Sequence, residues 1–157
     1  MLNISEHCTY ADAIRSDTAK RNGINNYFTP DQLARLITLA ENIYEPIVKY
    51  FKKPIYISSF FRNGEVNKLI GGVHDSQHLA NNGAAIDLDA DMNPGVTNKQ
   101  VFEYIRKKLD FDQLILEDIR EDGNIGWVHC SYVSKEKNRH QVLKMVRKNG
   151  VSTYEPY

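Results

Sequence analysis

Cysteine is scarce in this chain: Cys8 and Cys130 are the only two in 157 residues. That is too few, and too scattered, for a disulfide framework or an all-thiolate zinc ribbon, so both read as free thiols. A surplus of one charge is also missing. Twenty Lys and Arg balance twenty Asp and Glu, which excludes a long basic face and makes nucleic acid a poor candidate partner. The nine tyrosines, without a basic groove beside them, read as core and rim aromatics rather than a base-stacking platform. No run approaches the ~18 consecutive apolar residues of a membrane span. Met1 to His7 has neither a basic start nor an apolar stretch, so no export signal is visible. Internal repeats, low-complexity tracts and any sign of an obligate protein partner are likewise lacking. A chain of ~150 residues buries enough surface for one core without disulfides. A single domain over residues 1–147 is therefore expected, with 148–157 as a tail.

What is present is a series of well-punctuated elements. Thr29-Pro30-Asp31-Gln32 combines an N-cap, a proline at the first helical position and a capping-box glutamine. The helix that follows carries Leu33, Leu36, Ile37, Ala40, Ile43, Tyr44, Ile47 and Val48 at helical spacing, with a bend expected at Pro46. Tyr10 to Arg21 is a weaker helix candidate. Pro54 to Ser59 is a short β-rich run ending near Arg62, and Glu65 to Ile70 is a short helix closed by Gly71-Gly72. Ala84 to Ala90 alternates, with Ala85, Asp87 and Asp89 on one face and Ile86 and Leu88 on the other. A second capping box, Thr97 to Gln100, opens a helix with Val101, Tyr104, Ile105 and Leu109 inward. Phe111 to Glu117 and Gly126 to Val133 read as strands, and Gln141 to Arg147 as a final one. Helices first, then strands with one intervening helix, predict an α+β fold with a mainly antiparallel sheet backed by helices.

Three residues on separate segments carry the chemistry. His78 and Asp87 flank the stretch Leu79 to Ile86, and His129 lies in Gly126-Trp127-Val128-His129-Cys130-Ser131. Two imidazoles and one carboxylate suit a catalytic zinc, because three protein ligands leave a fourth position for water. Strand alternation puts Trp127, His129 and Ser131 on one face and Cys130 on the other, which removes the thiol from the ligand set. His74 reads as a loop residue on the rim, and His7 and His140 have no partner pattern.

Ser76-x-His78, the later Gly83-x-Ala85-x-Asp87 and Trp127-x-His129 resemble the zinc D-Ala-D-Ala peptidases of peptidase family M15. Ile57-Ser58-Ser59-Phe60-Phe61-Arg62, Glu65-Val66-Asn67-Lys68 and Gly71-Gly72 resemble the segment before the family's first ligand. Phe111 to Glu117 resembles the strand before its last. The likeness spans roughly residues 27 to 133. It implies the hedgehog/DD-peptidase fold, a zinc cofactor on His78, Asp87 and His129, and cell-wall (peptidoglycan) peptides as substrate, cut near a D-amino acid by a carboxypeptidase or an endolysin-like enzyme. Reaching a wall would then need lysis, another secretion route or a partner. One departure is the four residues, Leu79 to Asn82, between His78 and Gly83. The family usually has two, and Asn81-Asn82-Gly83 is turn-forming sequence that lets the surplus bulge outward.

By the same resemblance Arg62, fixed by its aromatic neighbours, holds a substrate carboxylate; the competing reading is a structural salt bridge. Ser76 binds substrate or orders its loop, Trp127 forms an apolar wall, and Gln77 and Asp89 are candidates for orienting imidazoles. The base is less plain. In vancomycin-resistance dipeptidases the catalytic Glu lies three residues before the last His, where this chain has Gly126. Hedgehog proteins carry theirs at the end of the preceding strand, where Glu117 stands; Glu121 and Asp122 are the alternatives. A noncatalytic binding module, or a phage structural component keeping the fold and the metal, is the rival to a metallopeptidase.

Overall fold

A computed structural model describes residues 2–157. Two short helices come first, α1 (Tyr10–Ile14) and α2 (Asp17–Arg21), in place of the single helix expected over residues 10–21. Each has its own cap: Thr9 accepts from the Asp12 amide and Ser16 from the Ala19 amide, so the break falls where a second N-cap interrupts the run. The Thr29 capping box opens α3 (Pro30–Leu39), with its hydroxyl accepting from the Gln32 amide. A π-helical turn, Ala40–Tyr44, then leads into α4 (Glu45–Phe51). This wider turn sits just before Pro46, whose ring and missing N–H disrupt regular α-helical bonding.

The strands are β1 (Ile57–Ser59), β2 (Ala84–Leu88), β3 (Gln113–Ile119), β4 (Trp127–Tyr132), β5 (Gln141–Lys148) and β6 (Val151–Pro156). Between them lie α5 (Gly64–Leu69) and α6 (Asn98–Lys108), the latter opened by the Thr97 capping box. They form one sheet in the order β1-β2-β4-β3-β5-β6. The fold is α+β, and the sheet is mixed: β5 runs parallel to β3, while the other pairings are antiparallel. The loop after β4 carries the chain past β3 to its far side, and that crossing sets the parallel direction.

Residues 148–157 are not a tail. Asn149 and Gly150 both take positive φ, 50° and 75°, the conformation of a tight hairpin turn whose twist matches its strands. β6 folds back along β5 from Lys148↔Val151 to Leu143↔Pro156. All of β6 is exposed, so it lacks the apolar alternation that marks a half-buried strand.

α3, α4 and α6 cover one face of the sheet. Their Leu36, Leu39, Ile47, Val101, Phe102 and Ile105, with Ile43 of the π-helical turn, pack in one cluster with Ile86, Leu88, Leu114, Leu116, Val128 and Cys130. Burial pushes the Cys8 thiol up to about 12 and also raises that of Cys130; both cysteines are free and buried. No helix among the described residues is long and apolar enough to cross a membrane. The sheet's other face carries the polar side chains of the site.

The loop into β2 depends on two left-handed residues, Ala80 (φ 55°) and Gly83 (φ 70°). Helix α3 holds the loop from behind: Gln32 donates to the Leu79 carbonyl at 3.0 Å and Arg35 to that of Ala80 at 3.0 Å. Asn81 and Asn82 are exposed, so the longer loop does bulge outward. A Cβ on Gly83 would lie 2.3 Å from the Tyr132 carbonyl oxygen. Gly83→Ala therefore combines a left-handed strain with a backbone clash, and should cost at least about 2 kcal/mol. A denaturant titration that leaves the midpoint unchanged would contradict this.

Candidate metal centre

The first imidazole is set by the segment running beside it. Phe60 and Phe61 are 0% and 1% exposed, which anchors the chain as it leaves β1. Buried Asn26 clamps it further, donating to the Phe61 carbonyl at 2.9 Å and accepting from the Asn63 amide at 2.8 Å. The Phe60 carbonyl then lies 2.7 Å from His78 Nδ1, and the Arg62 amide donates to the His78 carbonyl at 3.0 Å. His78 sits in a single 3-10 turn, Gln77–Leu79, whose N-cap is Ser76.

The other two residues come from the sheet. Asp87 on β2 pairs directly with His129 on β4, and His129 with Ile115 on β3. Two residues along, Glu117 stands opposite Trp127. His129 Nδ1 lies 2.9 Å and His78 Nε2 3.3 Å from the same oxygen of Asp87, Oδ1. These three residues, with Glu6, His7 and Glu45, are the only groups of metal-ligand type and spacing among the described residues. In the second group the Glu45 oxygens already accept from the Ser5 hydroxyl and from the amide and ring of His7. That commits them to fixing the N-terminal segment. His7 thus has a partner the sequence did not reveal, as does His140, paired with Asp110.

The arrangement has the donors for a cation. A carbonyl oxygen only accepts, so the Phe60 contact places the proton of neutral His78 on Nδ1 and leaves a lone pair on Nε2. That atom is buried, has no hydrogen-bond partner and faces a carboxylate. Burial lowers the His78 pKa, against the pull of Asp87, which favours the neutral imidazole that metals bind. Burial acts against the Asp87 charge, yet protons on the facing His78 and His129 rings hold its carboxyl well below the usual range. A metal ion held by His78, Asp87 and His129 would take the place of the His78 proton beside that carboxylate, and two nitrogens with one oxygen suit zinc.

Arg62, Ser76, Glu117 and Trp127 reach the same groove, a space of about 830 Å³. Arg62 Nη2 approaches Asp87 Oδ2 at 3.8 Å, while its buried Nε has no partner. The Ser76 hydroxyl accepts from the His78 amide at 3.3 Å, so the loop-ordering part of its expected role has a visible contact. Trp127 forms part of the wall. Glu117 is 6% exposed, and burial, reinforced by the Asp87 charge and only partly offset by His129, raises its carboxyl to about 7.

Position 126 cannot substitute for Glu117. A Cβ there would lie 2.8 Å from the Asp118 Cβ. β3 does not end at Glu117 but continues to Ile119 through an irregularity at Asp118, which has φ 54°. Bulges of this kind re-aim neighbouring side chains. Asp118 turns to Arg120 and Arg147, at 3.0 Å and 2.8 Å, leaving Glu117 to the groove. Glu121 and Asp122 are exposed in the loop beyond, away from the groove. His74 is exposed too and outside the ligand group.

Two expectations fail on orientation. Gln77 donates to Asp112 at 3.0 Å, and Asp89 accepts from Asn98 and from the Asp91 amide. Neither orients an imidazole; the Phe60 carbonyl does that. A main-chain partner leaves no mark on residue type, which is why spacing could not identify it.

A family model described as Peptidase M15 matches residues 6–131. The chain belongs to the peptidase M15 family. No protein of curated function matches it closely. By family, then, it is a peptidase, and M15 peptidases are typically zinc-dependent. That agrees with a donor set able to hold such a metal. The M15 match stops at Ser131, and the groove does not: Lys137, Arg139, Leu143 and Tyr154 also line it.

Sequence reasoning missed Asp112. It is 1% exposed and accepts from Arg139 at 2.7 Å, Gln77 at 3.0 Å and the Ser131 hydroxyl at 3.1 Å. It thus ties the His78 loop, β4 and the segment before β5 together. Although burial works against its charge, these bonds, with Arg139 foremost, lower its carboxyl from 3.8 to about 2. A depressed carboxyl stabilises the fold fully above its unfolded value, and that contribution fades as pH falls from about 4 toward 2. Asp112→Asn should cost about 2 kcal/mol near neutrality and flatten this acid-side loss. Urea midpoints measured at several pH values would check both.

Proposed function

We propose that this M15 peptidase has the hedgehog/DD-peptidase fold and is a zinc enzyme that hydrolyses peptides of the bacterial cell wall, at a bond next to a D-amino acid. The observation that carries the reading is the bare Nε2 of His78 facing Asp87 and His129, in one groove with a buried acid and a guanidinium. Bound by His78, Asp87 and His129, zinc supplies Lewis acidity, which polarises a carbonyl and makes water easier to deprotonate. Manganese or cobalt would fit the same donors, and availability would choose between them.

The chain's own residues supply the rest. Glu117, held near neutrality in its pKa, takes the proton from the attacking water and returns it to the leaving amine. Arg62 binds a substrate carboxylate with the donors not spent on Asp87, in the fork geometry that suits such a group. Trp127 gives the peptide an apolar wall, and Ser76 fixes the loop that presents His78. Peptidoglycan fragments are the partner; neither nucleic acid nor an obligate protein partner is part of the reading.

Purified muropeptides and D-Ala-terminated peptides, incubated with the zinc-loaded protein and analysed by mass spectrometry, test it. Cleavage lost on chelation and restored by zinc is expected. Binding of these peptides without any cleavage would instead identify a noncatalytic module.

A further inference from the structure

We propose that Tyr154 is a positioning residue for the Glu117 carboxylate, so that the C-terminal hairpin β5–β6 completes the active site. The proposal rests on the reading above, in which Glu117 is the base. Tyr154 lies on the outermost strand, beyond the residues that the M15 model matches. Its side chain is not needed by the core: the residue is 56% exposed, like the rest of β6. Yet its hydroxyl donates to Glu117 Oε2 at 3.4 Å, and its ring lines the groove with Arg62, Trp127 and His129. Among the described residues it is the one side chain that hydrogen-bonds to Glu117.

Register explains how a surface strand reaches the site. Tyr154 stands opposite Met145 on β5, which runs parallel to β3 and is displaced beside the irregularity at Asp118. Tyr157 pins the strand's end to α6, with its ring 4.7 Å from that of Phe102 and its hydroxyl donating to Glu103 at 2.8 Å. The strand is held at both ends, at the Asn149-Gly150 turn and at Tyr157, with Tyr154 over the groove between them.

The chemistry follows from the contact. A carboxylate that takes a proton from water and hands it to an amine must keep one oxygen available in one orientation. A hydroxyl on Oε2 fixes the carboxylate plane and leaves Oε1 for the proton. At 3.4 Å the bond is long and weak, so it lowers the Glu117 carboxyl by less than burial raises it. The charged groups acting on this pair are Asp118 on β3, Asp87 on β2 and His129 on β4. Burial first, and then the Glu117 charge, raise the phenol's own pKa.

The test compares wild type, Tyr154→Phe, Glu117→Gln and the double variant, all zinc-loaded, on a D-Ala-terminated peptide. Tyr154→Phe should lower kcat by about 10-fold, with KM, zinc content and melting temperature unchanged. In the Glu117→Gln background it should cost nothing further. A second readout needs no turnover: Tyr154 ionisation, taken as the ultraviolet titration of wild type minus Tyr154→Phe, should move to lower pH when Glu117 is replaced by Gln. If Tyr154→Phe is as fast as wild type while Glu117→Gln is inactive, the positioning role is overturned and the base stands. Equal losses in both backgrounds, or a Tyr154 titration indifferent to Glu117, would also overturn it. If Glu117→Gln keeps full activity, the base reading itself falls, and the role of Tyr154 with it.

Discussion

Glu117→Gln should retain about one zinc per chain and lose turnover by about 100- to 10,000-fold, the range that a positioned acid–base group supplies. The substitution is nearly isosteric, and the Gln carbonyl can still accept from Tyr154, so the groove should keep its shape. What disappears is the ability to take and release a proton. Glu117 is suited to that task because burial raises its carboxyl to about 7, which places its proton affinity near that of the working solution. A raised carboxyl ionises only as pH climbs toward that value, so kcat/KM should rise with pH on its acid side. A bound cation favours the ionised form and moves this limb to or below about pH 7. The limb should be absent from whatever activity the Gln variant keeps. Steady-state kinetics across pH, with zinc measured on the same samples, provide the check; a variant within threefold of wild type would remove Glu117 from the mechanism.

Much of this site is legible in the sequence because strands make it so. Alternation puts Asp87 against Ile86 and Leu88, and His129 against Val128 and Cys130, so the polar and apolar faces separate on paper and again in space. The two capping boxes at Thr29 and Thr97 locate the helices that cover the apolar face. Where legibility stops, the cause is specific. The carbonyl of Phe60 orients His78 through the main chain, which residue identity does not encode. Asp112 gathers donors from three segments distant in sequence, and no local spacing announces such a hub. The hairpin was open to being read from Asn149-Gly150, a pair that favours tight two-residue turns. Its second strand was hidden because an edge strand exposed along its length has no apolar face to repeat. The bulge at Asp118 shows the same limit: a strand ending and a strand turning look alike until the partner strand is in place.

Removing the metal should move stability by more than any single contact in the site. Zinc bound to the folded chain and not to the unfolded one stabilises by about 4 kcal/mol when free zinc is a thousand times its dissociation constant. For a chain near ~150 residues, that corresponds to a melting temperature roughly 8–16 °C lower after chelation. The physical source lies in the geometry. Without a cation, the Nε2 lone pair of His78 stands 3.3 Å from Asp87 Oδ1, and the two repel unless a proton takes the position between them. With one, the His78 loop, β2 and β4 are fastened at a single point. His129→Ala removes one of the three donors, so this variant should hold no stoichiometric zinc and melt at the same temperature with or without chelator. At the cluster of Glu6, His7 and Glu45, the Glu45 carboxylate already accepts from Ser5 and His7. Elemental analysis and calorimetry of wild type and variant, both purified without chelator, decide the matter. A wild-type melting curve that ignores chelator, or zinc that persists in His129→Ala, would move the metal away from this groove.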